Sequence, residues 1–157
     1  MPEVALVPVT AELREAVLAL APRPEQELFS GRADQTLPAA EADPRRTPYA
    51  IVENDCSAGF FVLDRTPSEA DPSADLVLRA FFVDAAAQGR GVAKAAACEV
   101  PSLVRRDFPA TRRVVLTVNV RNPVARAVYL AGGFCDTGEL YLGGSAGPQH
   151  VLRLDLT

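Results

Sequence analysis

Histidine is almost missing from this chain: His150 is the only one in 157 residues. A cysteine nucleophile would need a histidine partner, and His150 alone can supply it. Cysteine is also sparse. Cys56, Cys98 and Cys135 are an odd count without metal-ligand spacing, so they read as free thiols in a reducing compartment, and no metal site is expected. No apolar run approaches the roughly 20 residues of a membrane-spanning helix, so no membrane partner is expected. Basic charge is short as well. A net charge of -4 and a pI near 5.0 argue against a nucleic-acid-binding face and are compatible with a cationic substrate. The opening "MPEVALVPVT" lacks the basic region of a signal peptide, so a cytoplasmic location is expected.

What is present is ordinary for a globular domain. The chain is 48% hydrophobic and 23% charged, and its length suits one domain, residues 1–157, with enough core to fold without disulfides. "EVALVPV" reads as an edge strand bounded by Pro8. Thr10 caps a helix whose Leu13, Val17 and Leu20 share a face, and Pro22 and Pro24 end it. Short helices are expected near Glu25–Ser30 and Leu37–Ala42, followed by a proline-rich loop. "YAIVE" and "AGFFVLD" flank a polar turn as a hairpin does.

"LVLRAFFV", Leu76 to Val83, is nearly continuous in apolar residues, as a central strand covered on both faces would be. Helical spacing resumes at Val92 and runs to Val104, with Pro101 expected to kink or split it. "RRVVLTVNV" is the next central strand. Asn122 and Pro123 then cap and open a helix that Gly132 and Gly133 end. Two strands close the chain, "FCDTGELYLGG" and "HVLRLDLT". Helices that cross between central strands imply a mixed sheet.

The junction between "LVLRAFFV" and the next helix carries the chemistry. Gln88, Gly89, Arg90 and Gly91 stand where a strand stops and a helix starts. A helix N-terminus has unpaired amides and partial positive charge, and glycines let those amides converge on an anion. Ala93 keeps the next position small, and Gln88 and Arg90 can add polar contacts. The turn matches neither the P-loop nor the dinucleotide-binding fingerprint. Alone, two glycines can equally make a plain turn.

The wider stretch resembles the GNAT acetyltransferase superfamily. Gln88-Gly89-Arg90-Gly91-Val92-Ala93 is similar to that family's [Q/R]-x-x-G-x-[G/A] signature, in the same strand–turn–helix setting. A second block, "LTVNVRNPVARAVYLAGGF", matches at Asn122, Ala125, Tyr129, Gly133 and Phe134. The resemblance implies a mixed, mostly antiparallel α/β sheet of about seven strands with about four helices, splayed between the fourth and fifth strands after about Val83 and Thr117, with a bulge near Phe81 or Phe82. It implies an acetyl-coenzyme A-dependent N-acetyltransferase acting on a small-molecule amine. The amides of Gly89, Arg90, Gly91, Val92, Ala93 and Lys94 would hold the pyrophosphate, with Gln88 nearby. Phe82 and Val83 would pair with the pantetheine arm, and one of their N–H groups would polarise the thioester carbonyl. Asn122 caps its helix and can also reach the arm. Tyr129 takes the position of the acid that assists thiolate departure, against the plainer reading of a packed ring. Members of the superfamily often form homodimers.

The acceptor side is less defined. Gln26, Leu28 and Phe29 loosely resemble the matching run of diamine and polyamine acetyltransferases. Glu25, Glu27 and Asp34 are candidates to meet a cationic acceptor, or solvated helix charges. Glu53 could orient an amine, or be a turn acid. Arg79, a charge inside an apolar strand, needs a partner or a cleft. Glu139, Tyr141 and His150 are further candidates, and "GGSAGPQH" could fold over the site. Two rival readings are a non-catalytic acyl-coenzyme A sensor, which needs no Tyr129, and a hydrolase built on Cys98.

Overall fold

The computed structural model describes residues 1–156, and its centre is a seven-stranded mixed sheet. In chain order β1 (Val4–Pro8) leads to α1 (Ala11–Leu18), a 3-10 turn (Pro24–Gln26), α2 (Glu27–Ser30) and α3 (Ala33–Glu41). Then come β2 (Arg46–Glu53), β3 (Cys56–Asp64) and β4 (Leu76–Val83). A second 3-10 turn (Ala85–Ala87) precedes α4 (Val92–Asp107), β5 (Arg113–Asn119), α5 (Pro123–Ala131), β6 (Cys135–Tyr141) and β7 (Gln149–Asp155). The strand order is β1-β2-β3-β4-β5-β7-β6, and among the described residues only the β4–β5 pair is parallel. The closing strand was expected to run to Thr157, which lies outside the described residues.

Each sheet face has its own apolar layer. On one side Val92, Ala96, Val100, Leu103 and Val104 of α4 pack on Leu63, Leu76, Leu78, Leu116 and Leu152. On the other, Val17 of α1 and Ala33, Leu37 and Ala40 of α3 pack on Ala50, Phe60, Val62 and Phe82. β4 supplies residues to both layers, which is why its sequence is apolar without alternation. The β2–β3 hairpin turns at Asn54 and Asp55, both at positive φ (50° and 63°), the geometry of a tight two-residue hairpin.

Three elements depart from expectation. α4 runs unbroken through Pro101, because its buried face continues from Val100 to Leu103 and Val104 and packing outweighs the lost bond. The Ala97 carbonyl, four residues before Pro101, lies under Gly132, where a Cβ would come within 2.8 Å of it. Gly132 therefore serves close helix approach, since its φ of -80° is ordinary. Likewise α3 begins at Ala33 rather than near Leu37 and passes through Pro38, held by buried Ala33, Leu37 and Ala40.

The third departure builds the cleft. β4 and β5 pair only at Leu76–Val114 and Val77–Val115, so they part well before Val83 and Thr117. Where β4 pairs with β3, Phe60 opposes Phe82 and Val62 opposes Arg79. Ala80 and Phe81 therefore stand against Phe61 alone, a bulge. Ala80 takes φ 58°, a left-handed conformation that an alanine adopts at a cost of roughly 1–2 kcal/mol. The bulge swings the end of β4 away from β5 and leaves the facing backbone edges without a strand between them.

Candidate active site

The parted strands open into a cavity of about 770 Å³. Its walls include Ala80–Val83 of β4, Thr117–Asn119 of β5, Gln88, Gly89 and Gly91–Lys94 at the start of α4, and Asn122, Ala125 and Tyr129 of α5. Leu28 and Phe29 of α2 and Gly144–Ala146 of the β6–β7 loop complete it. Of the residues proposed from sequence for the coenzyme and for catalysis, all but Arg90 line this one space.

The glycine turn has a measurable peculiarity. α1 is capped by Thr10, whose hydroxyl accepts from Leu13 N, and α5 by Asn122, whose side chain accepts from Ala125 N at 3.4 Å. α4 has no side-chain cap, as α2 and α3 have none, but its N-cap alone among the described helices is a left-handed glycine, Gly91 at φ 82°. Its first amides thus lack the internal acceptor that Thr10 and Asn122 give α1 and α5, and they open onto the cavity. Gly89 is also left-handed, at φ 84°, and a Cβ there would meet nothing within 4 Å. Conformation, and not crowding, makes it glycine.

Arg90 turns the other way. Its guanidinium donates to Glu53, a buried carboxylate at the end of β2. One contact thus explains both residues: Arg90 brings its amide, and not its side chain, to the turn, and Glu53 does not line this cavity. Gln88 is a brace. Its Nε2 donates to the Val83 carbonyl at 2.9 Å and to Gln26 Oε1 at 2.7 Å. Asp84 adds a second tie, accepting from Ala21 N at 3.0 Å while Ala85 N donates to the Ala21 carbonyl. These bonds fasten the α1–α2 connection to the end of β4.

Tyr129 is 8% exposed and lines the cavity. Its ring stands edge-on to Phe81 (centroids 5.5 Å apart, planes at 70°) and to Phe134 (6.2 Å, 65°). Among the described residues its hydroxyl has no hydrogen-bond partner, and it is not a sealed buried oxygen either. It is thus aimed into the cleft by ring packing alone. Burial pushes the phenol well above its usual pKa, so it holds its proton at every physiological pH. Phe81 belongs to the bulge, so the distortion that parts the strands also positions this tyrosine.

Of the acceptor-side candidates, Gln26, Leu28, Phe29 and Arg79 line the cavity and the rest fall outside it. Tyr141 donates to Glu69 at 3.0 Å, and His150 lies beside Asp136, which Arg126 already holds. Cys98 donates to the Ala131 carbonyl at the end of α5. Cys98 and His150 have different partners and form no pair. Glu27 and Asp34 sit with Arg32, and neither they, Glu25 nor Glu139 reaches the cavity wall. Arg79 does reach it, paired with Asp64 at 3.2 Å. Asp64 is 1% exposed and is shared with Arg46 at 3.1 Å. That partner was legible in principle, because an arginine in an apolar strand calls for a carboxylate and Asp64 closes the neighbouring strand.

Residues 11–134 match the family model of the acetyltransferase (GNAT) family. The chain is 29% identical over 133 residues to Uncharacterized N-acetyltransferase YbbJ of Bacillus subtilis (strain 168), covering 82% of each. Its fold is similar to that of the aminoglycoside acetyltransferase AAC(6')-Ib in complex with coenzyme A, with a TM-score of 0.74 at 19% identity over 98% of this chain and 95% of that one. It is also similar to spermidine N-acetyltransferase from Vibrio cholerae in complex with coenzyme A and spermine, with a TM-score of 0.72 at 14% identity and coverages of 98% and 95%.

Proposed function

This chain belongs to the GNAT acetyltransferase family and is an acyltransferase, and we propose that it moves an acetyl group directly from acetyl-coenzyme A to the primary amine of a small molecule. The observation that carries this reading is the uncapped start of α4 opening onto a strand edge that the bulge has left unpaired. A diphosphate suits the first feature and an amide-bearing arm the second. The arm would lie along Phe82 and Val83 as an added strand does. Gly89 to Lys94 would hold the diphosphate through backbone amides, and the uncharged Nδ2 of Asn122 is left over from its capping bond to meet the arm.

The chemistry then needs few groups. A neutral amine attacks the thioester carbon, the C–N bond forms, and the C–S bond breaks as the thiolate leaves. An N–H at Phe82 or Val83 stabilises charge on the carbonyl oxygen. Tyr129 gives its proton to the departing sulfur, and the proton released by the new amide returns through water to the phenolate. Burial raises the phenol's pKa, so Tyr129 stays protonated and available as a donor to the departing sulfur.

A thiol-release assay with acetyl-coenzyme A, run beside calorimetry with coenzyme A, tests the reading. Saturable heat with coenzyme A and amine-dependent thiol release are expected. No heat and no release, in a protein shown to be folded, would overturn it.

A further inference from the structure

The cavity wall has charge of one sign. Among the described residues its charged members are Arg23, Arg79 and Lys94, with no aspartate, glutamate or histidine. Two of the three belong to the diphosphate end. Lys94 is in the first turn of α4, and Arg23 follows Ala21, whose backbone is bonded to Asp84 and Ala85. Neither has an ion-pair partner among the described residues.

Arg79 is elsewhere. It precedes the bulge and opposes Val62, so its side chain projects from the sheet face that α1 and α3 cover. Its guanidinium is set by Asp64, but that single carboxylate also serves Arg46, so two cations share one anion. Asp43, 3.8 Å from Arg46, is claimed by Arg45 at 3.3 Å. Three arginines and two aspartates leave this cluster with one net positive charge. Arg79 is its cavity member, and its side chain is 47% exposed. A second cation overhangs the same opening: Arg121 lies 6.0 Å from the ring of Phe29 and donates to the Ala146 carbonyl.

A polycationic acceptor would meet repulsion here with no carboxylate to compensate it. We infer that the acceptor is a small amino acid-type molecule, an amine bearing a carboxylate, and that Arg79 is the residue that receives the carboxylate while the amine faces the thioester beside Phe81 and Phe82. This rests on the acetyl-transfer reading above and assigns its substrate class. A guanidinium offers two parallel N–H donors, the fork that a carboxylate fits. Asp64 holds the fork through one nitrogen, and Arg79 lines the cavity with the rest of its donors unpaired among the described residues.

The test is thiol release with α-, β- and γ-amino acids, their matched methyl amides, spermidine and kanamycin. The best amino acid should exceed its own amide in kcat/KM by about tenfold or more, the scale of one charge-assisted contact, and should exceed both polycations. Arg79→Gln should erase the acid-over-amide ratio through KM while coenzyme A affinity, read by calorimetry, stays unchanged. Since Asp64 would lose a partner, Arg79→Gln with Asp64→Asn keeps the cluster at its wild-type net charge should the single variant misfold. Arg79→Lys should restore part of the ratio.

Thermal shift adds a readout without turnover. In the presence of coenzyme A, the best amino acid should raise the melting temperature of wild type and not of the Arg79→Gln variant. A polycation preferred over every amino acid, or a ratio unchanged in the variants, overturns the inference. So does coenzyme A binding with no amino acid either bound or acetylated, an outcome that leaves the cofactor reading standing. Failure to bind coenzyme A at all sinks the cofactor reading, and the acceptor inference falls with it.

Discussion

The two halves of the cleft are built from different material. The coenzyme half is made of backbone: an uncapped helix start, two left-handed glycines and a strand edge freed by a bulge. The acceptor half is made of side chains brought from α2, β4, the β5–α5 connection and the β6–β7 loop. Backbone geometry needs particular residues at particular spacings, so it leaves a pattern in one short stretch of sequence. Side chains that meet from distant segments leave none.

The sharpest way to break this comparison is Tyr129→Phe, at the line where the two halves meet. Turnover should fall by about 10²-fold or more, with coenzyme A affinity within about twofold, because only a proton donor is lost. Equal losses in both would make Tyr129 a packing residue. Next in size is Gly91→Val in the coenzyme half. A β-branched residue at φ 82° is strained, so the turn should distort and coenzyme A affinity should drop by about tenfold or more, while the melt shows a folded protein. Unchanged affinity would mean that the turn does not form the cradle.

A smaller effect should sharpen the seam between the halves. Gln26→Ala removes the tie from the 3-10 turn to Gln88 and should cost about 1 kcal/mol, seen as a severalfold rise in acceptor KM with little change in kcat. Asn122→Ala should show the least in catalysis. Loss of the α5 cap should lower stability by about 1 kcal/mol, or roughly 2–4 °C in Tm. The pH profile offers a further check. The raised phenol pKa keeps the donor protonated, so the rate should not fall on the alkaline side until above about pH 10; a fall centred near pH 8 would point to a different acid.

The strand and helix order was legible in the sequence, as were the N-caps Thr10 and Asn122 and the glycine turn, because each is a local pattern. Pro101 misled as a point where the helix could split, since a proline's local penalty is visible in sequence and the buried face that outweighs it is not. The bulge at Ala80 had no marker: an alanine in a left-handed conformation is imposed by the sheet around it. Glu53 and Arg90 were read separately, and their pairing across 37 residues changes the meaning of both. Glu25, Glu27 and Asp34 could be acceptor contacts or solvated helix charges from sequence, and in the structure none of them lines the cavity, whose charged wall residues are Arg23, Arg79 and Lys94.

Amide hydrogen exchange with and without coenzyme A tests the central assignment most directly. Protection should rise at Gly91 to Lys94 and at Phe82 and Val83, and stay flat along the outer strands β1 and β6. Coenzyme A binding that leaves the start of α4 and the end of β4 unprotected would contradict it.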